Sequence, residues 1–450
     1  MKTIIDKLNL FQKRINPARR IALGFALVII GGALLLMLPI ASKTGEVTPF
    51  FTTLFTSTSA TCVTGLILVD TGAHYSFFGQ LIILGLIQVG GLGFMMIITM
   101  VFLASNRHIG LRSRMVIAQS LGTDSLSGVV RIVKHTLILT AIIEGAGAFI
   151  LACRFIPEFG VVKGIWYGIF HSVSAFCNAG FDVLGRGDSI VSYKYDPVVL
   201  ITIALLIIVG GLGFMVWEDI LQKRLKMSVY SRLVLITTGA LLVLGTGGFM
   251  LFEYSNPETM GEDSFMSKLL SAFFQSATTR TAGFDSIGQA QLTESSKFLS
   301  TVLMMVGGSS GSTAGGIKTA TVIVLLSTLK SVLTGRKNVS VMKRNITSPT
   351  IRHAITLLGM WLILISSSSV AISCMEGLPL VDCFYETASA YDTVGLSCGV
   401  MLETGYISNT IMILLMYFGR VGVMTLSVMF ISSQTKENAI EYPSTPMYVG

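Results

Sequence analysis

Four short stretches of the chain carry residues suited to holding a desolvated cation by backbone alone. They are Ala60-Thr61-Cys62-Val63-Thr64-Gly65-Leu66, Phe176-Cys177-Asn178-Ala179-Gly180-Phe181, Thr279-Arg280-Thr281-Ala282-Gly283-Phe284 and Tyr391-Asp392-Thr393-Val394-Gly395-Leu396. Gly65, Gly180, Gly283 and Gly395 recur at intervals of roughly a quarter of the chain, which marks one supersecondary unit used four times. An aromatic residue precedes each glycine at the same offset: Phe55, Phe170, Phe273 and Tyr385. Small residues precede each one more closely: Ser59 and Ala60, Ser174 and Ala175, Ala277 and Thr278, Ser389 and Ala390. The pattern reads as a short helix running into a glycine-bearing extended turn. Glycine permits positive φ, so successive carbonyls can face one axis where a side chain would clash. A ring of carbonyl oxygens can replace the water shell of a cation. The candidate ion-binding residues are therefore Cys62, Val63, Thr64 and Gly65; Asn178, Ala179 and Gly180; Thr281, Ala282 and Gly283; and Thr393, Val394 and Gly395. The short helices aim their partly negative C-terminal ends at the space beneath. One copy would pass as an ordinary helix-breaking glycine among the 46 in the chain, but four copies at matching offsets do not.

Such stretches need a scaffold, and the composition names it. Of 450 residues, 52% are hydrophobic and 12% charged, where soluble domains carry about 25% charged residues. Irregular backbone at membrane depth is tolerated where it is buried in protein or lines water. Residues 21–40 are long enough to span a hydrocarbon core. Residues 49–60 are too short, and 78–104 form a second spanning run. Unit 2 repeats this with 130–153, 162–176 and 197–221; unit 3 with 229–252, 265–279 and a broken run over 296–333; unit 4 with 353–374, 380–391 and 406–431. The expected organisation is an N-terminal segment 1–20, unit 1 over 21–104, a loop and unit 2 over 105–222, unit 3 over 223–335, a loop and unit 4 over 336–432, and a tail 433–450. The basic start followed by 21–40 imitates a signal peptide, but the apolar run is too long, has no clear small-residue cleavage site and opens the first repeat.

Lys and Arg gather before unit 1 and between units, at Lys2, Arg19, Arg107, Arg131, Lys223, Lys330, Lys343 and others, and thin out in the loops beside the glycines. By the positive-inside rule both termini are cytoplasmic and the glycine stretches enter from outside. Asp182, Asp188, Asp285, Glu386 and Asp392 lean to the outer side, where an arriving cation meets negative charge. The net charge of +8 is split among short loops and forms no stripe for nucleic acid. The six cysteines show no metal-ligand spacing, and no Walker motif is present. His171 reads as a packed residue, whereas Glu144, in a spanning run, is a functional candidate by default.

A second motif repeats. Val89-Gly90-Gly91-Leu92-Gly93-Phe94-Met95 returns as Val209-Gly210-Gly211-Leu212-Gly213-Phe214-Met215 and, altered, as Phe418-Gly419-Arg420-Val421-Gly422-Val423-Met424. Close helix packing suffices to explain the first two. In unit 3 the same place reads Gly307, Gly308, Ser309, Ser310, Gly311, Ser312, Thr313, Ala314, Gly315, Gly316, Ile317 and Lys318. Such a run cannot hold a helix at mid-membrane and is expected to form an intramembrane loop lining the water path.

With these residues in view, the chain resembles the Trk/Ktr/HKT superfamily of potassium transporters, most closely the Ktr-type membrane subunit, over essentially its whole length. The resemblance implies an all-α membrane protein of four M1–P–M2 repeats, with eight transmembrane helices and four re-entrant pore helices around one pseudo-fourfold pore. It implies a potassium filter at Gly65, Gly180, Gly283 and Gly395, and a gate built from loop 307–318 with Arg420. It further implies a homodimer in the plasma membrane of a bacterium, under a cytoplasmic ring of nucleotide-binding RCK subunits, with potassium as cargo and no organic cofactor in this chain. Asp392 departs from the pattern, since a small residue is expected there. Arg280 stands at the same level in the neighbouring unit, and the two are expected to pair behind the filter. An intramembrane enzyme is disfavoured, because the convergent groups are backbone glycines. A sodium-coupled carrier is the alternative, since carriers also use broken helices, although parallel repeats favour a through-pore.

Overall fold

The computed structural model describes residues 17–93, 129–223, 227–400 and 404–422. These residues are mostly helical. Unit 1 contains α1 (Pro17–Leu36), α2 (Phe50–Cys62) and α3 (Phe77–Leu92). Unit 2 contains α4 (Val129–Phe159), α5 (Val161–Phe176), α6 (Pro197–Leu212) and α7 (Phe214–Lys223). Unit 3 contains α8 (Val229–Glu253), α9 (Phe265–Thr278), α10 (Glu294–Met305) and α11 (Thr319–Leu333). Unit 4 contains α12 (Ser348–Glu376), α13 (Leu380–Tyr391) and α14 (Tyr406–Val421). Among the described residues, Val133–Phe159, Val229–Glu253 and Ser348–Glu376 are long and apolar enough to cross a membrane, and α6 with α7 qualifies as one bent span.

Packing repeats with the sequence. The first helix of each unit lies on its own short helix, as α1 on α2, α4 on α5, α8 on α9 and α12 on α13. The helix after each glycine packs on the short helix of the next unit: α3 on α5, α6 on α9, α10 on α13, and α14 back on α2. The chain thus closes on itself. A repeated hydroxyl pins the first seam. Ser57 Oγ donates to the Ile29 carbonyl at 2.7 Å, Ser172 Oγ to Glu144 O at 2.7 Å and Ser276 Oγ to Leu242 O at 3.1 Å, while Thr387 Oγ1 meets Ser369 Oγ at 2.6 Å. Facing three of these hydroxyls are Gly32, Gly147 and Gly245, where a Cβ would come within 3.0 Å of the serine Oγ.

The helices after the glycines differ from expectation. The runs 78–104, 197–221 and 406–431 are not continuous helices. Helix α3 stops before Gly93, α6 before Gly213 and α14 before Gly422, with φ of 85°, 90° and 86°. That conformation has no place in a right-handed helix and suits glycine alone among residues without strain. Past Gly213 the chain turns by 92° into α7. The segments that continue from Gly93 and from Gly422 lie outside the described residues, as do the expected N-terminal segment up to residue 16 and the tail 433–450. The loop expected to open the fourth section holds a small hairpin, β1 (Ser340–Val341) and β2 (Arg344–Asn345), paired antiparallel around Met342 and Lys343.

Candidate functional site

The four short helices end three to five residues before their glycines, and each then makes the same turn. Val63, Asn178, Thr281 and Thr393 have φ of 60°, 59°, 66° and 51°. Gly65, Gly180, Gly283 and Gly395 follow with φ of 98°, 68°, 80° and 93°. Left-handed valine and threonine are costly, on the order of 1–3 kcal/mol each, and persist because surrounding structure imposes them. The imposition is visible. In unit 1 the Thr64 N–H donates to Ser59 O at 2.8 Å, in unit 2 Ala179 N–H to Ser174 O at 2.7 Å, and in unit 4 Val394 N–H to Ser389 O at 2.8 Å. Unit 3 closes one residue tighter, with Ala282 N–H to Thr278 O at 2.9 Å.

The turns meet in a ring. A Cβ on Gly65 would lie 2.5 Å from the Ala179 carbonyl, and one on Gly180 2.8 Å from Ala282 O. One on Gly283 would strike Val394 O, and one on Gly395 would strike Thr64 O. Each glycine therefore faces the carbonyl preceding the next glycine, and the fourth closes on the first. Among the described residues the buried Thr61, Thr64 and Thr393 hydroxyls find no protein partner. Among the described residues no group of three or more His, Cys, Asp or Glu could hold a metal ion.

Above the ring lies a cavity of about 270 Å³, lined by the four glycines with Asp70, Asp182, Asp188 and Asp285. Desolvation, with the charges of Asp70 and Asp188 nearby, pushes the Asp182 carboxyl up to about 7. Asp285 is spent on structure, accepting from the Ile287, Gly288 and Gln289 N–H groups. Gln289 then braces two units. It exchanges side-chain hydrogen bonds with Gln275 of α9 at 2.6 and 3.2 Å, and its Oε1 accepts from Tyr385 Oη of α13 at 2.8 Å. Behind the fourth glycine, Glu386 accepts from Ser397 Oγ at 2.6 Å and Cys398 N–H at 2.9 Å.

Below the ring, residues 306–318 form the expected non-helical loop between α10 and α11, closed by a bridge of Val306 to Ile317. Its first arm leans on unit 2. Ser309 N–H donates to Gly211 O at 3.0 Å and Thr313 Oγ1 to Phe176 O at 3.1 Å, while Phe214 N–H donates back to Gly311 O at 2.8 Å. Lys318 Nζ donates to the Ala314 and Gly315 carbonyls at 2.8 and 3.0 Å. Arg420 lies at the same level. Its guanidinium donates to Thr313 O in the loop and to the Gly90 and Gly91 carbonyls. Helix α3 ends at Leu92, so these are helix-end carbonyls, and among the described residues Arg420 caps them as well as touching the loop. Gly90, Gly210 and Gly419 allow close approach to the ends of short helices, where a Cβ would strike the carbonyls of Thr61, Phe176 and Tyr391.

The predicted filter residues thus come together in one ring, and the predicted gate residues, including Arg420, beneath it. The expected Arg280–Asp392 pair does not form. Both side chains turn outward to the first helix of their own unit rather than sideways to each other. Arg280 Nη2 reaches Thr238 Oγ1 of α8 at 3.4 Å, and Asp392 accepts from Trp361 Nε1 of α12 at 3.1 and 2.9 Å. Glu144 accepts from Gln88 Nε2 at 3.2 Å and neighbours Cys177. His171 is packed, its Nδ1 2.8 Å from Tyr167 O. Sequence reasoning missed Trp361, Gln289 and the helix breaks at Gly93, Gly213 and Gly422. The breaks had a signal, a glycine at a fixed offset after each paired-glycine motif. The two braces had none.

A helical fold with membrane-length apolar helices, whose four glycine turns close into one buried ring, defines a membrane transport protein. The chain belongs to the TrkH family of cation transport proteins, whose profile matches residues 25–442. It is 39% identical over 446 residues to the potassium/sodium uptake protein NtpJ of Enterococcus hirae, covering 98% of each chain. It is 37% identical over 439 residues to the Ktr system potassium uptake protein B of Bacillus subtilis, covering 97% of each. The fold is similar to that of the potassium transporter TrkH from Vibrio parahaemolyticus, with a TM-score of 0.71 and 16% identity over 91% of this chain and 83% of that one.

Proposed function

We propose that the chain is the ion-translocating subunit of a Ktr-type potassium uptake system in a bacterial plasma membrane. Its four repeats form eight spans and four re-entrant helices around one pseudo-fourfold pore. The observation that carries this reading is the closed ring in which each glycine faces the carbonyl preceding the next glycine. Potassium sheds water into the carbonyls of residues 62–65, 178–180, 281–283 and 393–395, having been concentrated by the aspartates above. Loop 307–318 with Lys318 and Arg420 obstructs the path below, and a cytoplasmic ring of nucleotide-binding RCK subunits on a homodimer relieves the obstruction. Relatives named as Ktr system subunits support the assignment. A second reading, sodium-coupled uptake, is favoured by the name of the relative NtpJ, a potassium/sodium uptake protein.

The test is potassium and sodium flux into liposomes holding purified protein, with and without the cytoplasmic partner. Potassium flux that exceeds sodium flux and rises with the partner supports the first reading. Potassium flux that vanishes without sodium and carries sodium in fixed ratio supports the second. No flux of either ion, in protein shown to be folded, refutes both.

A further inference from the structure

The two arms of loop 307–318 are held by different means. The first arm rests on backbone carbonyls of unit 2 and on Arg420. The second arm, from Gly315 to Lys318, rests on the base of the fourth glycine turn. A Cβ on Gly315 would strike Thr393 Oγ1, and Gly316, at φ +63°, would place one 3.0 Å from Asp392 Oδ1. The Ile317 backbone N–H lies beside the same carboxylate. On its far side that carboxylate receives the Trp361 indole N–H on both oxygens. Asp392 is 0% exposed and Trp361 4% exposed. Three elements therefore meet at one buried carboxylate: the end of α13, the middle of α12 and the loop exit into α11, which itself packs on α12. Units 1 and 2 carry Cys62 and Cys177 at this level, and the unit 2 turn meets the loop through a neutral hydroxyl, Thr313 Oγ1 on Phe176 O, rather than through a carboxylate.

We propose that Asp392, held by Trp361, is a positioning residue that anchors the exit arm of the loop, so that opening moves the Ser309–Thr313 tip and leaves residues 315–318 in place. The inference rests on reading loop 307–318 as the gate. A buried carboxylate held by the Trp361 donor on one side and packed against the backbone of Gly316 on the other resists displacement, because moving it away from the indole leaves it unsatisfied in a dry site. Without the anchor the whole loop can leave the path, so the pore leaks and the partner has less left to release.

The experiment measures potassium flux into liposomes, with and without the cytoplasmic partner, for Trp361→Phe, Asp392→Asn and their combination. Each single variant is expected to raise partner-free flux by about threefold or more, a modest shift of a closed–open equilibrium. Stimulation by the partner falls, and the potassium/sodium ratio stays at its wild-type value. The double variant is expected to add little to the larger single one, since both remove one junction. Trp361→Phe keeps the ring and loses only the donor, so it decides the matter if Asp392→Asn folds poorly. Wild-type partner-free flux in folded Trp361→Phe overturns the proposal. So does a changed ion ratio at unchanged partner-free flux, which assigns Asp392 to the filter. A third protein, shortened within 309–313, separates the two levels of argument. If shortening leaves partner-free flux unchanged, the gate reading fails. If shortening raises it while Trp361→Phe does not, the anchor alone fails.

Discussion

The glycine ring and the layer directly beneath it are built on opposite principles. In the ring, four sequence copies adopt one backbone conformation, and each copy contacts the next in the same way. In the layer below, the four copies of the paired-glycine motif diverge: two keep Gly-Gly-Leu-Gly, one carries Arg420, and one expands into loop 307–318. The ring is held mainly by main-chain hydrogen bonds, whereas the lower layer adds two charged side chains, Lys318 on loop carbonyls and Arg420 on loop and helix-end carbonyls. A uniform ring suits a task in which every position must present the same oxygen to the same ion. An uneven layer suits a task that one element performs and the others restrain. Identical surroundings give no reason for one unit to move before another.

Four predictions separate the two layers. The largest effect is expected in the ring. In Gly395→Ser the new Cβ meets Thr64 O at a φ of +93°, so the fourth side of the ring has to shift. The potassium/sodium permeability ratio in proteoliposomes should fall about tenfold or more, equivalent to about 1.4 kcal/mol of lost discrimination. An unchanged ratio would remove Gly395 from the filter. In the lower layer, Arg420→Gln keeps some hydrogen bonding and discards the charge. Maximal potassium flux should rise by several-fold while the ion ratio persists, since on the proposed reading this interior charge stands beside the path below the ring. A folded variant with lower flux and a lower melting temperature would make Arg420 a structural cap of α3 and nothing more.

Next in size is Gln289→Leu, which cuts the brace from the third turn to Gln275 and Tyr385. The ion ratio should fall by a few-fold, on the scale of one or two buried hydrogen bonds at about 1 kcal/mol each. Partner-free flux should not change, and if it does the brace belongs with the gate. The smallest effect is that of proton concentration. Asp182 is pushed up to about 7 by desolvation and by its acidic neighbours. Its charged form therefore dominates above that pH and is lost as external pH falls through it. Potassium uptake at low external potassium should decline by about twofold between pH 8 and pH 6, the scale of one screened charge at the mouth, and Asp182→Asn should flatten the profile. A steeper profile in the variant would contradict the assignment.

The comparison also explains which parts are legible in the sequence. Repetition exposes backbone constraints: a glycine required four times is written four times, and the upstream small and aromatic residues come with it. The ring is therefore readable, along with the interruption at 307–318, whose composition no helix tolerates. Side-chain braces are written once. Nothing in the letters brings Trp361 to Asp392, or Gln289 to Tyr385, because those contacts depend on how separate units lie against each other. The Arg280–Asp392 expectation fails for the same reason. Residues level in a repeat alignment are level in space, but the alignment does not say whether their side chains point along the ring or away from it. The helix breaks are an error of a different kind. Their glycines are plain in the sequence and read as packing residues; one of each group does pack, while the later one ends the helix.

Helix α14 carries one more implication, which concerns the order in which the protein is made. It closes the ring by packing on α2, and its Arg420 reaches Gly90 across 330 residues of chain. Its Tyr417 hydroxyl donates to Ala22 O, across 395 residues. Contacts so distant in sequence form late, after the intervening chain has been inserted and packed. The last side of the ring and the arginine beneath it reside in the same stretch of nascent chain and arrive together. Truncation before residue 391 removes the fourth glycine turn and Arg420 together. Truncation between 396 and 405 keeps the turn and removes the helix that docks it on α2, so the ring waits for α14 before its fourth side is held, and closure and the arginine beneath it come from one helix.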